Sequence, residues 1–146
     1  MDNVLSAEDL LLDRLGAKLP PEVHVLTSAE LEGAANGNHP TPAAFVVFDG
    51  YTPAEATPNS SAQKQTQRWV VISAVRNVAL ARSGRAARQE AGRMVSQVIG
   101  ALQGHRLSHE HSVLQMATAP RPIYRNGLAY LFTAWTTTIV TKPTGD

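Results

Sequence analysis

The amino-acid sequence predicts an α+β fold: a single domain over residues 1–146, with a mixed, mostly antiparallel sheet flanked by helices. Three observations carry the prediction. From Arg85 to Leu102, apolar residues recur at Ala87, Ala91, Met94, Val95, Val98, Ile99 and Leu102. Those offsets fall on one stripe of a helix of about 3.6 residues per turn. From Leu128 to Val140, Tyr130, Phe132, Ala134 and Thr136 alternate with Leu131, Thr133, Trp135 and Thr137, the period-two pattern of a strand. Ala43–Phe48 and Arg68–Val75 are short apolar runs rich in β-branched and aromatic residues, as buried strands are. A helix with one narrow apolar stripe must lie on something, and these strands are its floor.

In chain order, Ser6-Ala-Glu-Asp opens a first helix, with a serine N-cap and acids where the helix dipole favours them. Leu10, Leu11, Leu12 and Leu15 form its apolar face; Gly16 and Lys18 close it, and Pro20-Pro21 forbids continuation. Val23, Val25 and Leu26 form a short strand, and Thr27-Ser-Ala-Glu is a capping box for a helical turn through Leu31. Gly33 to Pro42 is a loop by its glycines, prolines and asparagines. After the strand at Ala43–Phe48, Asp49 to Gln67 is polar and contains Pro53, Pro58 and Asn59. It predicts an extended loop over about 50–67 that leaves the core, of the length that functional loops have. Ser83-Gly84 marks the entry to the helix at Arg85–Leu102 and Gly104 its exit. A strand is expected around Val113–Met116. Asn126-Gly127 then joins Arg121–Arg125 to the last strand as a hairpin.

Composition narrows the functional classes. The absence of cysteine removes disulfides, thiolate metal sites and cysteine nucleophiles. No run approaches the roughly 18 apolar residues of a membrane span, so no membrane partner is expected, and acids at the N-terminus argue against an export signal. The net charge of +1 conceals a polarity: residues 1–60 hold nine acids against Arg14 and Lys18, a balance of −7, and residues 61–146 hold eleven bases against three acids, +8. Two halves neutralising each other within one fold explain this, and so do subunits that meet head to tail, acidic face to basic face.

Few residues assemble into chemistry. His105, His109 and His111 have spacing that a metal could use, but they straddle a helix end and a loop, so no face collects them. Asp49-Gly50 at a strand end is read as a turn before it is read as a catalytic acid. No nucleotide-binding, nucleophile-elbow or zinc-protease motif is present. The expectation is a protein that is not an enzyme and uses no cofactor or metal. The densest basic feature is Arg76, Arg82, Arg85, Arg88 and Arg93, either a solvated face or a positive surface for an acidic partner or passing DNA.

The order of these elements resembles the bacteriophage tail terminator, or tail completion, family of Mu-like and related long-tailed phages. The resemblance rests on the leucine-rich first helix and short strand, the strand Arg68–Val75, and the helix Arg85–Leu102 with its basic start. It also rests on Pro122-Ile-Tyr-Arg-Asn-Gly-Leu-Ala-Tyr-Leu-Phe and the threonine-rich last strand. It implies a structural virion protein whose subunits form a hexameric ring on the head-proximal end of the tail tube, after assembly in the host cytoplasm. Such a ring ends tube polymerisation, contacts the tail tube protein and the head-completion or neck protein, and lets DNA pass without reading its sequence. Within that frame, Arg82, Arg85, Arg88 and Arg93 are expected at the lumen or tube contact. Tyr51 and Lys64, in the 50–67 stretch, are expected at a face meeting the tube or a neighbouring subunit. The alternatives are a head–tail joining (neck) protein, a small basic nucleic-acid-binding module using the same arginines, and a metal-dependent hydrolase built on Asp49 and the histidines.

Overall fold

Two strands of fourteen residues, paired along their full length, are the spine of the molecule. They are β3 (Gln63–Arg76) and β6 (Leu128–Thr141), antiparallel from Gln63↔Thr141 to Arg76↔Leu128. The computed structural model describes residues 1–32, 38–76, 85–125 and 127–145, without the side chains of Ala86 and Ala87. In order come α1 (Ala7–Lys18), β1 (His24–Thr27), α2 (Ser28–Glu32), β2 (Ala43–Ala56), β3, α3 (Arg85–Leu102), β4 (Gln115–Ala117), β5 (Ile123–Arg125) and β6. The strand order is β1-β2-β3-β6-β4, and β5 shares the outer side of β6 with β4. Among the described residues β1 and β2 pair in parallel and the other pairings are antiparallel. The expected mixed, mostly antiparallel α+β domain is the observed one.

Strand alternation divides the core in two. Trp69, Val71, Val75, Ala129 and Trp135 point to the face covered by α1 and α3, where they meet Leu11, Leu15, Met94, Val98 and Leu102. Each such side chain, fully buried, contributes about 1.5–3 kcal/mol of transfer free energy. Trp69 and Trp135 are cross-strand partners. Each indole N–H is satisfied two residues back on its own strand, Trp69 donating to Gln67 Oε1 at 3.2 Å and Trp135 to Thr133 Oγ1 at 2.9 Å. Gln67 in turn donates to the carbonyl of Val4, tying the segment before α1 to the sheet. The opposite face holds a smaller cluster of Phe45, Val70, Ile72 and Ala134, against which Leu26, Leu31 and Ala119 pack.

α3 has the bounds its periodicity predicts, with Ala91, Met94, Val98, Ala101 and Leu102 buried. Gly104 leaves it at φ +72°, where glycine costs least, and its N–H bonds to the carbonyl of Leu114. Ser83-Gly84, the expected entry, lies outside the described residues. α2 forms as expected, but only half of the capping box is made: Glu30 Oε2 accepts from the Thr27 N–H at 2.6 Å. Ser6 does not cap α1. It is already helical (φ −58°, ψ −22°) and makes no capping hydrogen bond, because a turn at Asn3–Ser6 winds directly into the helix. Gly16 also lies inside α1, which ends at Lys18 with the Leu19 N–H donating to Leu15. The strand expected around Val113 begins at Gln115; Val113 instead forms an isolated bridge with Arg106.

The largest correction concerns residues 50–67. They are not a loop. β2 continues to Ala56 and β3 begins at Gln63, so only 57–62 turn. Together with the end of β6 they make a three-stranded arm. The stretch looks like a loop because its β2 and β3 parts carry mostly polar side chains on both faces. It is a strand because β6 offers a partner for every residue of β3. Pro53 is tolerated because β1 pairs with β2 only through Val46, leaving no ladder bond to lose on that side. Asp49-Gly50 is likewise neither a turn nor a strand-end acid. It is a bulge, two residues against Arg68, with Gly50 at φ +92°. A second bulge falls between Pro53 and Ala56.

Candidate functional site

The residues singled out from sequence lie at two ends of the molecule. α3 runs back along β3: Met94 and Gln97 lie near Val75, while the chain after Leu102 reaches Ser112, whose N–H bonds to the carbonyl of Thr138. The start of α3 is therefore remote from the arm. Arg85, Arg88 and Arg93 are exposed there. Arg85 and Arg88 are neighbours on one helical face, but Arg93 is turned about 140° from Arg88 by the helical pitch. It borders a cavity of about 130 Å³ with Glu22, Glu90 and Gln97. Arg82 lies outside the described residues. The first turn of α3 contains no acid, so Arg85 and Arg88 sit where the helix dipole disfavours cations.

At the other end, Tyr51 is 60% exposed on the outer side of β2. Lys64 stands on β3 with its Nζ 3.9 Å from Glu55 Oε2, an exposed and weak pair. Lys64 also borders a shallow polar hollow of about 540 Å³ between the arm and the turn at 106–112, with Thr66, His109, Glu110 and Thr138. The structure thus places Tyr51 and Lys64 on one arm and separates both from the arginines.

The turn at 106–112 is a closed unit. Arg106 spends its guanidinium on backbone carbonyls, donating from Nε to His111 at 2.8 Å and from Nη2 to His109 at 2.8 Å. His111 is buried, its Nδ1 2.7 Å from Ser108 Oγ, and its Nε2 has no hydrogen-bond partner among the described residues. Burial pulls its pKa below the ordinary value of 6.5, against a weaker upward pull from Glu110. His105 is also shifted downward, by burial first and then by Arg14 and Lys18. Among the described residues no three histidines or acids are placed to hold a metal ion. Asp49 Oδ2 is 2.7 Å from Arg68 Nε, and Arg68 Nη2 donates to the carbonyl of Thr118 at 2.6 Å. The acid is committed to bracing the bulge against the segment after β4. It does not border the hollow that His109 and His111 border, so the hydrolase arrangement considered from sequence is not brought together. Among the described residues, no helix is long and apolar enough to cross a membrane.

What the structure adds is a difference between the two edges of the sheet. From residue 19 to 63 the chain has five acids (Glu22, Glu30, Glu32, Asp49 and Glu55) and no lysine or arginine. That segment builds the β1/β2 edge. From residue 103 to 145 it has Arg106, Arg121, Arg125 and Lys142 against Glu110 alone, and builds the β4/β5 edge.

A profile of the phage tail terminator family, described as phage tail terminator protein, matches residues 1–144. The chain belongs to the phage tail terminator family. It is accordingly a structural protein of a phage tail, a component of the virion in contact with other virion proteins. No curated protein matches the chain. For a tail terminator, the surfaces that matter are those offered to neighbours. The basic helix start was visible in the sequence as an arginine cluster. The sheet-edge polarity was visible only as a charge imbalance, because nothing in the sequence says which strands lie outermost.

Proposed function

We propose that this tail terminator caps the head-proximal end of the tail tube as a hexameric ring. The ring stops addition of further tube subunits and presents its outer face to the head-completion or neck protein. The observation that carries this reading is the family match over residues 1–144. The division of candidate contacts between two remote ends supports it, since a cap needs one surface for the tube and another for the neck. The protein acts by occupying an end and not by catalysis, with no cofactor, and DNA passes through the ring without sequence-specific contacts. Arg85, Arg88 and Arg93 form the basic surface facing lumen or tube; the arm with Tyr51 and Lys64 meets the tube or the next subunit. The subunit assembles in the host cytoplasm and ends in the virion.

The test is negative-stain microscopy of a lysate from phage lacking this gene. Overlong tails of irregular length, detached from filled heads, are expected. Tails of normal length without heads would make it a joining protein, and normal infectious particles would overturn the reading. R85E/R88E particles with normal tails would remove the arginines from the proposal.

A further inference from the structure

We infer that neighbouring subunits meet edge to edge, the acidic β1/β2 edge of one copy docking on the basic β4/β5 edge of a second copy. This inference rests on the ring reading and names the surfaces that build it.

Three observations converge. The first is charge: Glu22, Glu30, Glu32 and Glu55 are exposed on or beside one edge, and Arg121 and Arg125 on the other. Each copy carries both signs on opposite edges of one sheet, so the contact is heterologous and repeats from copy to copy. The second is apolar surface. Val113, Met116, Ile123 and Tyr124 are all large and exposed on or beside β4 and β5, Met116 at 49% and Tyr124 at 60% exposure. A basic rim around exposed apolar side chains is how a contact surface is built. Tyr51 supplies the amphipathic aromatic on the opposite edge. The third is backbone. Among the described residues no strand pairs with β2 beyond Val46 on its outer side, or with the outer sides of β4 and β5.

The two bulges and Pro53 interrupt β2 as a template for indiscriminate strand addition. Side-chain charge and apolar contact therefore decide what docks there. An isologous pairing of two β1/β2 edges would set acids against acids, and two β4/β5 edges would set Arg121 and Arg125 against their copies. Only the mixed pairing is attractive at both ends of the subunit.

The chain has no cysteine, which makes the test direct. Tails are purified from phage carrying Tyr51→Cys, Tyr124→Cys, or both in one chain, then treated with a flexible bismaleimide and blotted for this protein. The exposed positions leave the core intact. A ladder of multimers with the double variant and none with either single variant is expected. A dimer from either single variant alone would mean like edges meet and would overturn the inference. Absence of a ladder from the double variant, in tails where an amine-reactive cross-linker does give multimers, would overturn the edge contact and leave the ring standing. Absence of multimers with both reagents would overturn the ring and the edge contact together. A second measurement uses charge alone. R121E/R125E is expected to lose the amine-linked multimers, and adding E32K/E55K to the same chain is expected to restore them. Loss without restoration would overturn the electrostatic pairing.

Discussion

β3 and β6 run side by side through two different environments, and their halves behave as two materials. Between Arg68 and Arg76, β3 is flanked by apolar strands and covered by α1 and α3; Val71, Ala74 and Val75 are fully buried. Between Gln63 and Gln67 the same strand carries polar side chains on both faces, and only Gln67 is buried. The ladder is continuous across the boundary. Backbone pairing thus extends a sheet well past the point where side-chain packing stops supporting it. What the apolar half contributes is stability. What the polar half contributes is reach: a paired extension of the sheet with mostly polar side chains.

The largest losses are expected inside the packed half. Trp135→Ala is expected to cost about 3–5 kcal/mol, because it removes a fully buried indole and leaves Thr133 facing a cavity; chemical denaturation measures it. Leu11→Ala is expected to cost about 2–5 kcal/mol by the same means, depending on how far α1 settles onto the sheet. Arg68→Ala lies on the boundary. It frees Asp49 and the Thr118 carbonyl, but the pair is half-exposed, so about 0.5–1.5 kcal/mol is expected. Tail assembly, counted by microscopy, is expected to fall while the melting temperature barely moves.

Acid should act on the segment that follows α3. The folded pKa values of His111 and His105 lie below 6.5, so the unfolded chain takes up protons first as pH falls. Stability is whole above the ordinary value, declines as pH drops below about 6.5, and stops declining once the folded values are passed. His111→Gln should flatten part of that decline in melting temperature measured between about pH 7.5 and about pH 5. The smallest effect belongs to the arm. Thr138→Ala removes one side-chain contact to Thr66 at 3.4 Å and is expected to stay within about 0.5 kcal/mol.

The same contrast explains what could be read from the sequence. α3 and β6 were legible to within a residue because burial on one side imprints a period on the chain. The β2 and β3 parts of the arm were not, because residues such as Thr52, Gln63 and Gln65 imprint no period; their strand character comes from partners far away in sequence. Asp49-Gly50 was misread for a related reason. A bulge and a turn both want glycine at positive φ, and only the register with Arg68 distinguishes them. Among the candidate site residues, the arginines of α3 announced themselves by density. Arg121 and Arg125, proposed above for the docking edge, did not, since their place at an edge depends on β6 inserting between β3 and β4.

That insertion also governs the order of events after synthesis. β6 is the last of the six strands to leave the ribosome, yet it occupies the interior of the sheet and supplies Trp135, Ala134 and Ile139 to the core. Until it arrives, β3 presents a bare hydrogen-bonding edge and α3 has only half its floor. Closure of the sheet waits on contacts spanning up to the distance from Gln63 to Thr141, the kind that make folding slow. The β4/β5 edge does not exist before β6 is seated, because both strands hang on it. The basic β4/β5 edge proposed for docking is therefore assembled only on a seated β6, and a chain without β6 in place has no such edge to offer.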